Sequence, residues 1–360
     1  MQNSWGIASL GVHFPPLYFP VDELAKIRNV DPMKFLHGLG CKHIAVCPKD
    51  YGVVELGVEA AKRALARWSG SLADIGLIAV GTESSLDMSR PLSAWIAAEL
   101  GLEGAVRSYE VKHACYGGTL AIKQAIEWKM SGAAAGKAAL VIATDISVYA
   151  PQDPGEATGG AGAVALIIDE PLIAEINTQS FPWSKPAFDF WRPVGHAYPV
   201  VEGQFSLACY KEAAVACFQA SLQGRNPDDV LNELKFFCFH TPFSGMVKKA
   251  WQAIGEHIGW NEQRALDFYQ EKILPTMEWN KLSGNSYTAS LWLAVARALA
   301  GMQAHEQLYA FSYGSGYGAE LLSLKAGANA LVAAWQEDVA QDVRTRRCIT
   351  AAEYEELIRL

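Results

Sequence analysis

His113-Ala114-Cys115-Tyr116-Gly117-Gly118-Thr119 is the stretch on which the reading of this chain turns. An extended run, Arg107-Ser108-Tyr109-Glu110-Val111-Lys112, leads into it. An apolar helical run, Leu120 to Trp128, leads out. A strand that hands a cysteine to the start of a buried helix belongs to an α/β protein. Unpaired N–H groups and the positive end of the helix dipole collect at such a start. That setting favours thiolate and lowers a cysteine pKa from about 8.5. Gly117 and Gly118 leave room for an acyl group and for close backbone approach. A buried structural cysteine fits the same residues, so the remainder of the chain has to decide.

Working outward from this stretch, apolar strands alternate with helices. Ile7 to Val12 reads as a strand, Val21 to Ile27 as a short helix and Val53 to Trp68 as a longer one. Ile75 to Val80 is an unbroken apolar strand that delivers Gly81-Thr82-Glu83-Ser84, and Leu92 to Leu100 is helical. Ala138 to Thr144 is a second such strand and delivers Asp145 to Tyr149; Ala163 to Ile168 is a third. Unbroken apolar strands between helices predict a mainly parallel sheet covered on both faces. Residues from about 170 to 205 are rich in aromatics and proline, and the expectation is a long irregular segment that lines a site or an interface.

The second half repeats this grammar. Phe205 to Gln223 is a helix, and Phe236 to Phe239 is a strand that delivers His240. Gly245 to Ile258 is a helix, Asn285 opens another that runs to Ala300, and Leu308 to Ser312 is a strand ending at Gly314-Ser315-Gly316. The expected division is two related halves, residues 1–170 with Glu83 and Cys115, and 171–360 with His240 and Asn285. A pseudo-twofold axis between them brings all four residues into one pocket, since α/β sites form at strand ends and helix starts.

With 360 residues the chain exceeds what one core usually holds. A net charge of −8 argues against a nucleic-acid binder. The seven scattered cysteines show neither a disulfide framework nor metal spacing, which suits a reducing compartment. The start Met1-Gln2-Asn3-Ser4-Trp5 is not basic, and no apolar run is long enough to span a bilayer. The expectation is a cytoplasmic enzyme with no membrane or nucleic-acid partner.

Cysteine, glutamate, histidine and asparagine together fit a carbon–carbon bond-forming acyltransferase. Cys115 carries an acyl thioester, His240 and Asn285 offer donors to a carbonyl, and Glu83, its pKa raised by burial, is the general acid and base. Each residue alone also fits a structural role. Gly159-Gly160-Ala161-Gly162 lacks the lysine and hydroxyl residue of a phosphate loop, and Gly314-Ser315-Gly316-Tyr317-Gly318 misses the dinucleotide spacing. Lys248 and Lys249, on the helix after His240, are candidates to meet a phosphate.

Several blocks in order carry a specific resemblance. They are Thr82-Glu83-Ser84, Ala114-Cys115-Tyr116-Gly117-Gly118-Thr119, Ala143-Thr144-Asp145 and Phe188-Asp189-Phe190-Trp191-Arg192-Pro193. They continue with Tyr198 to Gly203, Phe239-His240-Thr241-Pro242-Phe243, Gly284-Asn285-Ser286-Tyr287-Thr288 and Phe311 to Gly316. In these the chain resembles the hydroxymethylglutaryl-CoA synthases of the thiolase superfamily, most of all the bacterial mevalonate-pathway type. The resemblance implies a five-layer αβαβα thiolase fold, usually a homodimer, and condensation of acetyl-CoA with acetoacetyl-CoA without metal or redox cofactor. It implies Cys115 as the acetylated nucleophile, Glu83 as general acid and base, and His240 and Asn285 on the acetoacetyl group. Tyr149 and Ser315 match positions lining the acyl site, and Lys248 or Lys249 lies where CoA phosphates are met. Glu202 stands where the family usually has aspartate, and Gly245 where a lysine can occur. The alternatives are a polyketide β-branching relative acting on an acyl-carrier-protein substrate, and a non-catalytic scaffold subunit of an acyltransferase complex. A ketoacyl synthase of the same fold has no need of a base such as Glu83.

Overall fold

The unbroken apolar runs become strands buried on both faces. The structure, a computed structural model, describes residues 4–359; the opening Met1-Gln2-Asn3, read above for a targeting signal, lies outside the described residues. The strands are β1 (Gly6–His13), β2 (Leu17–Pro20), β3 (His43–Val46), β4 (Ile75–Gly81), β5 (Arg107–Val111), β6 (Ala138–Ser147) and β7 (Gly160–Asp169). Then follow β8 (Ala174–Ala187), β9 (Phe190–Trp191), β10 (Val200–Val201), β11 (Leu234–Phe239), β12 (Gln307–Gly314), β13 (Gly316–Ala326) and β14 (Arg347–Cys348).

Nine of them form one sheet in the order β11-β12-β13-β8-β1-β7-β6-β4-β5. Its two ends have the same plan: β4 and β6 are parallel and β7 runs against both β6 and β1, just as β11 and β12 are parallel and β13 runs against both β12 and β8. The sheet is therefore mixed rather than mainly parallel. Connection length is the reason. Only Ser315 separates β12 from β13, and the link from β6 to β7 holds just the short 3-10 turn Glu156–Thr158, so neither has the helix that a parallel crossover needs. The two ends join through one short antiparallel contact, Gly6 with Glu175 and Ile7 with Ala174.

Side-chain alternation sorts the core into layers. Ala139, Val141 and Ala143 of β6 face a central core that holds the helices Gly117–Met130 and Ser290–Leu299 and, across them, Leu308 and Ala310 of β12. Ala138, Leu140 and Ile142 face the outer helices Val53–Arg67 and Leu92–Leu100. On the far side, Phe237, Phe239 and Phe311 pack under the helices Gly203–Leu222 and Ser244–His257. Helices, sheet, helices, sheet and helices make the αβαβα thiolase fold. At its centre Trp292 Nε1 and Ser312 Oγ both donate to Thr119 Oγ1, at 3.1 and 2.9 Å, tying the Cys115 helix to the second half.

The aromatic segment is less irregular than its composition predicts. Its first part is the 14-residue strand β8, which contains Pro182 and Pro186. These prolines are tolerated because, beyond its first residues, β8 pairs with β13 alone, leaving its other edge without a ladder. The remainder forms the small β9–β10 hairpin, with Val200 opposite Trp191.

Gly284, which aims Asn285, has φ +72° and ψ −163°, a region nearly closed to other residues. A Cβ there would lie 1.9 Å from the carbonyl oxygen of Gly159. Gly224, at φ +82°, has open space around the same position. Thermal unfolding of the two alanine variants should separate strain from clash. Gly224→Ala should cost about 1 kcal/mol, and Gly284→Ala at least about 3 kcal/mol, because the chain crossing at Gly159 must also move. Equal losses would show that the crossing is loose.

Candidate active site

Parallel strands deliver their chemistry at their C-terminal ends, and here strand ends from both halves meet. Beyond β4 stand Thr82, Glu83 and Ser84; beyond β11 stands His240, whose N–H donates to Phe311 O of β12 at 2.7 Å. Cys115 lies in a tight turn in which Tyr116 N donates to His113 O, and Ala114 is forced to φ +44°. The turn places the thiol just ahead of the helix Gly117–Met130.

Cys115 Sγ donates to Glu83 Oε1 at 3.0 Å. Both residues are part-buried, and Cys115 lines a pocket of about 290 Å³ whose wall also includes His240, Asn285, Tyr149, Tyr287, Ser315 and Lys249. A second cavity of about 340 Å³, beneath the C-terminal helix Ala351–Leu357, shares Tyr149 but contains none of the other six.

The electrostatics of this pair correct one expectation. Burial, followed by the nearby Asp145 charge, pushes Glu83 up to about 8, in the direction expected for a general base. The Cys115 thiol, however, is driven well above its ordinary value: first by burial, then by the Glu83 charge and the hydrogen bond to it, then by Asp145. A helix end offers roughly half a charge. It is outweighed by desolvation and by a carboxylate in direct contact, so the resting site favours a neutral thiol over the expected thiolate.

His240 is buried, and its Nδ1 has no hydrogen-bond partner among the described residues. Burial holds its pKa down to about 3, so the imidazole is neutral and carries one donor and one acceptor. Its carbonyl is held by the Tyr210 hydroxyl at 2.5 Å. Asn285 accepts at Oδ1 from Tyr287 N at 3.0 Å, which identifies its oxygen and leaves the amide NH2 as the group free to donate. Tyr149 is buried, and burial raises its hydroxyl to about 12, so it remains a neutral donor.

Both lysines are exposed, and of the two only Lys249 lines the pocket. Consecutive helical residues point about 100° apart, so both could not face one ligand. Gly245 packs so closely on the turn Lys34–Leu39 that a Cβ would lie 2.4 Å from Gly38 O, which leaves no room for a lysine. Ser315 lines the pocket and donates to Asp189 Oδ2 at 3.0 Å.

Two carboxylates quoted in the sequence blocks, but given no role there, organise the site. Asp145 is fully buried. Its Oδ1 accepts from Thr82 Oγ1, Glu83 N and Ser84 Oγ, at 2.8, 2.9 and 2.8 Å. Its Oδ2 accepts from Thr288 N at 3.0 Å and Thr288 Oγ1 at 2.5 Å. Asp189, also fully buried, accepts from Ser206, Tyr313 and Ser315. The available signal was an acid placed directly after an apolar strand or between aromatics, where burial without partners is prohibitive.

A thiol sharing its proton with a carboxyl group, beside a neutral imidazole and an amide donor, can take an acyl group, move a proton at carbon and hold a carbonyl. Among the described residues no group of three or more His, Cys, Asp or Glu side chains is arranged to hold a metal ion, and all seven cysteines are free thiols. Fold and site together define a thiolase-fold condensing acyltransferase.

Comparison with known proteins narrows this class. The sequence pattern described as "Hydroxymethylglutaryl-coenzyme A synthase N terminal" matches residues 1–171, and its C-terminal counterpart matches 179–255 and 261–360. The chain is 32% identical to the hydroxymethylglutaryl-CoA synthase of Enterococcus faecalis, over 97% of this chain and 90% of that one. It is 34% identical to that of Haloferax volcanii, over 83% and 78%. A structure of MvaS in complex with 3-hydroxy-3-methylglutaryl coenzyme A superposes with a TM-score of 0.93 at 32% identity, covering 100% of this chain and 93% of that one. The HMG synthase of the curacin biosynthetic pathway, in complex with an acetyl donor ACP, superposes with a TM-score of 0.93 at 28% identity, covering 99% and 88%. This chain belongs to the hydroxymethylglutaryl-CoA synthase family.

The thiol–carboxyl contact makes a prediction about reactivity. Glu83→Gln removes the charge that disfavours thiolate, so the pH midpoint for alkylation of Cys115 by iodoacetamide should fall. At pH 8 the variant should therefore react faster than wild type, as measured by mass spectrometry of the Cys115 peptide. Slower reaction would mean that Glu83 assists ionisation of the thiol more than it opposes it.

Proposed function

We propose that this chain condenses acetyl-CoA with acetoacetyl-CoA to give 3-hydroxy-3-methylglutaryl-CoA, with Cys115, Glu83 and His240 as its catalytic residues. The observation that carries the reading is the 3.0 Å contact of Glu83 with Cys115, which shares the wall of one pocket with His240 and Asn285. Cys115 takes the acetyl group from acetyl-CoA; the thiol proton leaves with CoA, so one thioester replaces another. Glu83 then removes a methyl proton from acetyl-Cys115, and the resulting carbon attacks the acceptor ketone. The same carboxyl group returns a proton to the tertiary alkoxide. His240 and the Asn285 amide hold the acceptor carbonyl as negative charge develops on it. Water finally hydrolyses the enzyme thioester. Tyr149 and Ser315 line the acyl end, and Lys249, rather than Lys248, faces the CoA phosphates. No step calls on a metal or redox cofactor.

Within this reading the protein works in the cytoplasm, as a homodimer, in the mevalonate route of isoprenoid biosynthesis. No helix among the described residues is long and apolar enough to cross a membrane. The relatives at 32% and 34% identity carry the synthase name, and this favours a CoA-linked acceptor over a carrier protein.

The test is an assay of the purified protein with acetyl-CoA and either acetoacetyl-CoA or acetoacetyl carried on an acyl carrier protein. Turnover of the CoA form is expected; turnover of the carrier form alone would replace it with the polyketide reading, and turnover of neither would favour a scaffold. Labelled acetyl-CoA should leave thiol-linked label on the wild type and none on Cys115→Ala. Glu83→Ala should still accept label, because the cysteine remains and has lost a charge that kept it protonated. It should condense at least about 100-fold more slowly than wild type. Lys249→Ala should raise KM for acetoacetyl-CoA with little change in kcat, since the phosphates lie far from the reacting carbons.

A further inference from the structure

The Glu83 loop has one neighbour that the chemistry above does not use. Arg192 directly follows β9, the first strand of the small hairpin, and its Nη2 donates to the carbonyl oxygen of Glu83 at 2.6 Å. The hairpin is anchored at both sides of this reach. At its base, buried Asp189 accepts from Ser206 Oγ at 2.8 Å and Tyr313 OH at 3.0 Å, while its carbonyl accepts from Glu202 N at 3.0 Å. Phe190, two residues before Arg192, packs edge-on against Tyr287, with ring centroids 5.9 Å apart. Further along, the Tyr198 hydroxyl donates to Ile358 O at 2.8 Å. The anchored hairpin carries Arg192 beside the Glu83 loop, where its exposed guanidinium holds the Glu83 carbonyl.

We propose that Arg192 is a positioning residue for Glu83: from the β9–β10 hairpin it pins the carbonyl of the catalytic glutamate and sets a permanent cation beside it. This rests on Glu83 being the base in the proposed reaction. The groups facing Glu83 are Asp145 of β6, Cys115 of the tight turn, Tyr287 of the turn after Asn285, and Arg192. Asp145 disfavours the carboxylate; the Cys115 hydrogen bond and the Arg192 charge favour it. Arg192 is therefore the only permanent cation in this set.

The experiment reads Glu83 directly. The infrared carbonyl band of its protonated carboxyl, assigned by its loss in Glu83→Gln, is titrated in wild type, Arg192→Gln and Arg192→Lys, with melting curves to verify folding. Removing the cation disfavours the carboxylate, so the Arg192→Gln midpoint should rise by roughly half to one pH unit. Arg192→Lys should recover most of this shift. The rising limb of the kcat profile for condensation should move to higher pH by the same amount. At neutral pH kcat should fall about tenfold through misplacement of the carboxyl group, with KM changing less. An unchanged midpoint in Arg192→Gln, or an equal shift in the lysine variant, overturns the proposal. The infrared shift pattern across the three proteins, with no condensation by the wild type, overturns the proposed function and supports the role of Arg192.

Discussion

A single buried carboxylate, Asp145, holds the site together. It lies on the first half of the chain, and among the described residues no cation is bonded to it. One oxygen is saturated by the Thr82–Glu83–Ser84 loop and the other by Thr288 of the second half. Burial raises its pKa, and the donors from Thr288, Ser84 and Thr82 oppose that rise. An unpaired charge without such donors would not survive there. The same carboxylate also disfavours charge on Glu83 and on Cys115. The group that joins the two halves thus helps to keep Glu83 protonated near neutral pH.

This dependence explains why the site needs both halves. The β4 and β6 ends alone would supply a cysteine, a glutamate and a half-satisfied aspartate. The β11 and β12 ends alone would supply a histidine in a hydrophobic pocket. Only when Thr288 closes on Asp145, and Trp292 and Ser312 close on Thr119, does the pocket acquire its full wall. The strained backbone at Ala114 and Gly284 stands at the two places where each half turns its reactive residue into that pocket.

The sequence made the elements legible wherever periodicity was strong. The helices at Val21–Ile27 and Leu92–Leu100 have the bounds their spacing implies, and the apolar runs at Ile75 and Ala138 are strands. Strand direction was not legible, because an apolar run looks the same whichever way it runs; the one-residue link at Ser315 was the readable clue. β8 was hidden by Pro182 and Pro186, which forbid a central strand but not an edge. At the site, the places of Cys115, Glu83, His240 and Asn285 near strand ends and helix starts made their convergence readable: three share one pocket wall and Glu83 contacts Cys115. Their electrostatics were not. A helix start suggested thiolate, whereas the neutral thiol follows from tertiary burial and from a glutamate 32 positions away in the chain.

The coupling between these groups also changes along the proposed reaction. In the resting site the Cys115 thiol donates to Glu83 and favours its carboxylate form, offsetting part of what burial and Asp145 do. Acetylation replaces that S–H by a thioester, which has no proton to give. The donor is lost at the moment when Glu83 must be ionised to act as a base on the acetyl methyl group. Burial and Asp145 remain, and both favour the protonated acid. Of the influences that favoured the carboxylate, only the Arg192 charge persists through this step, since it depends on no exchangeable partner. A permanent cation on an anchored hairpin is thus most consequential in the acetylated state, where the thiol no longer supports the base.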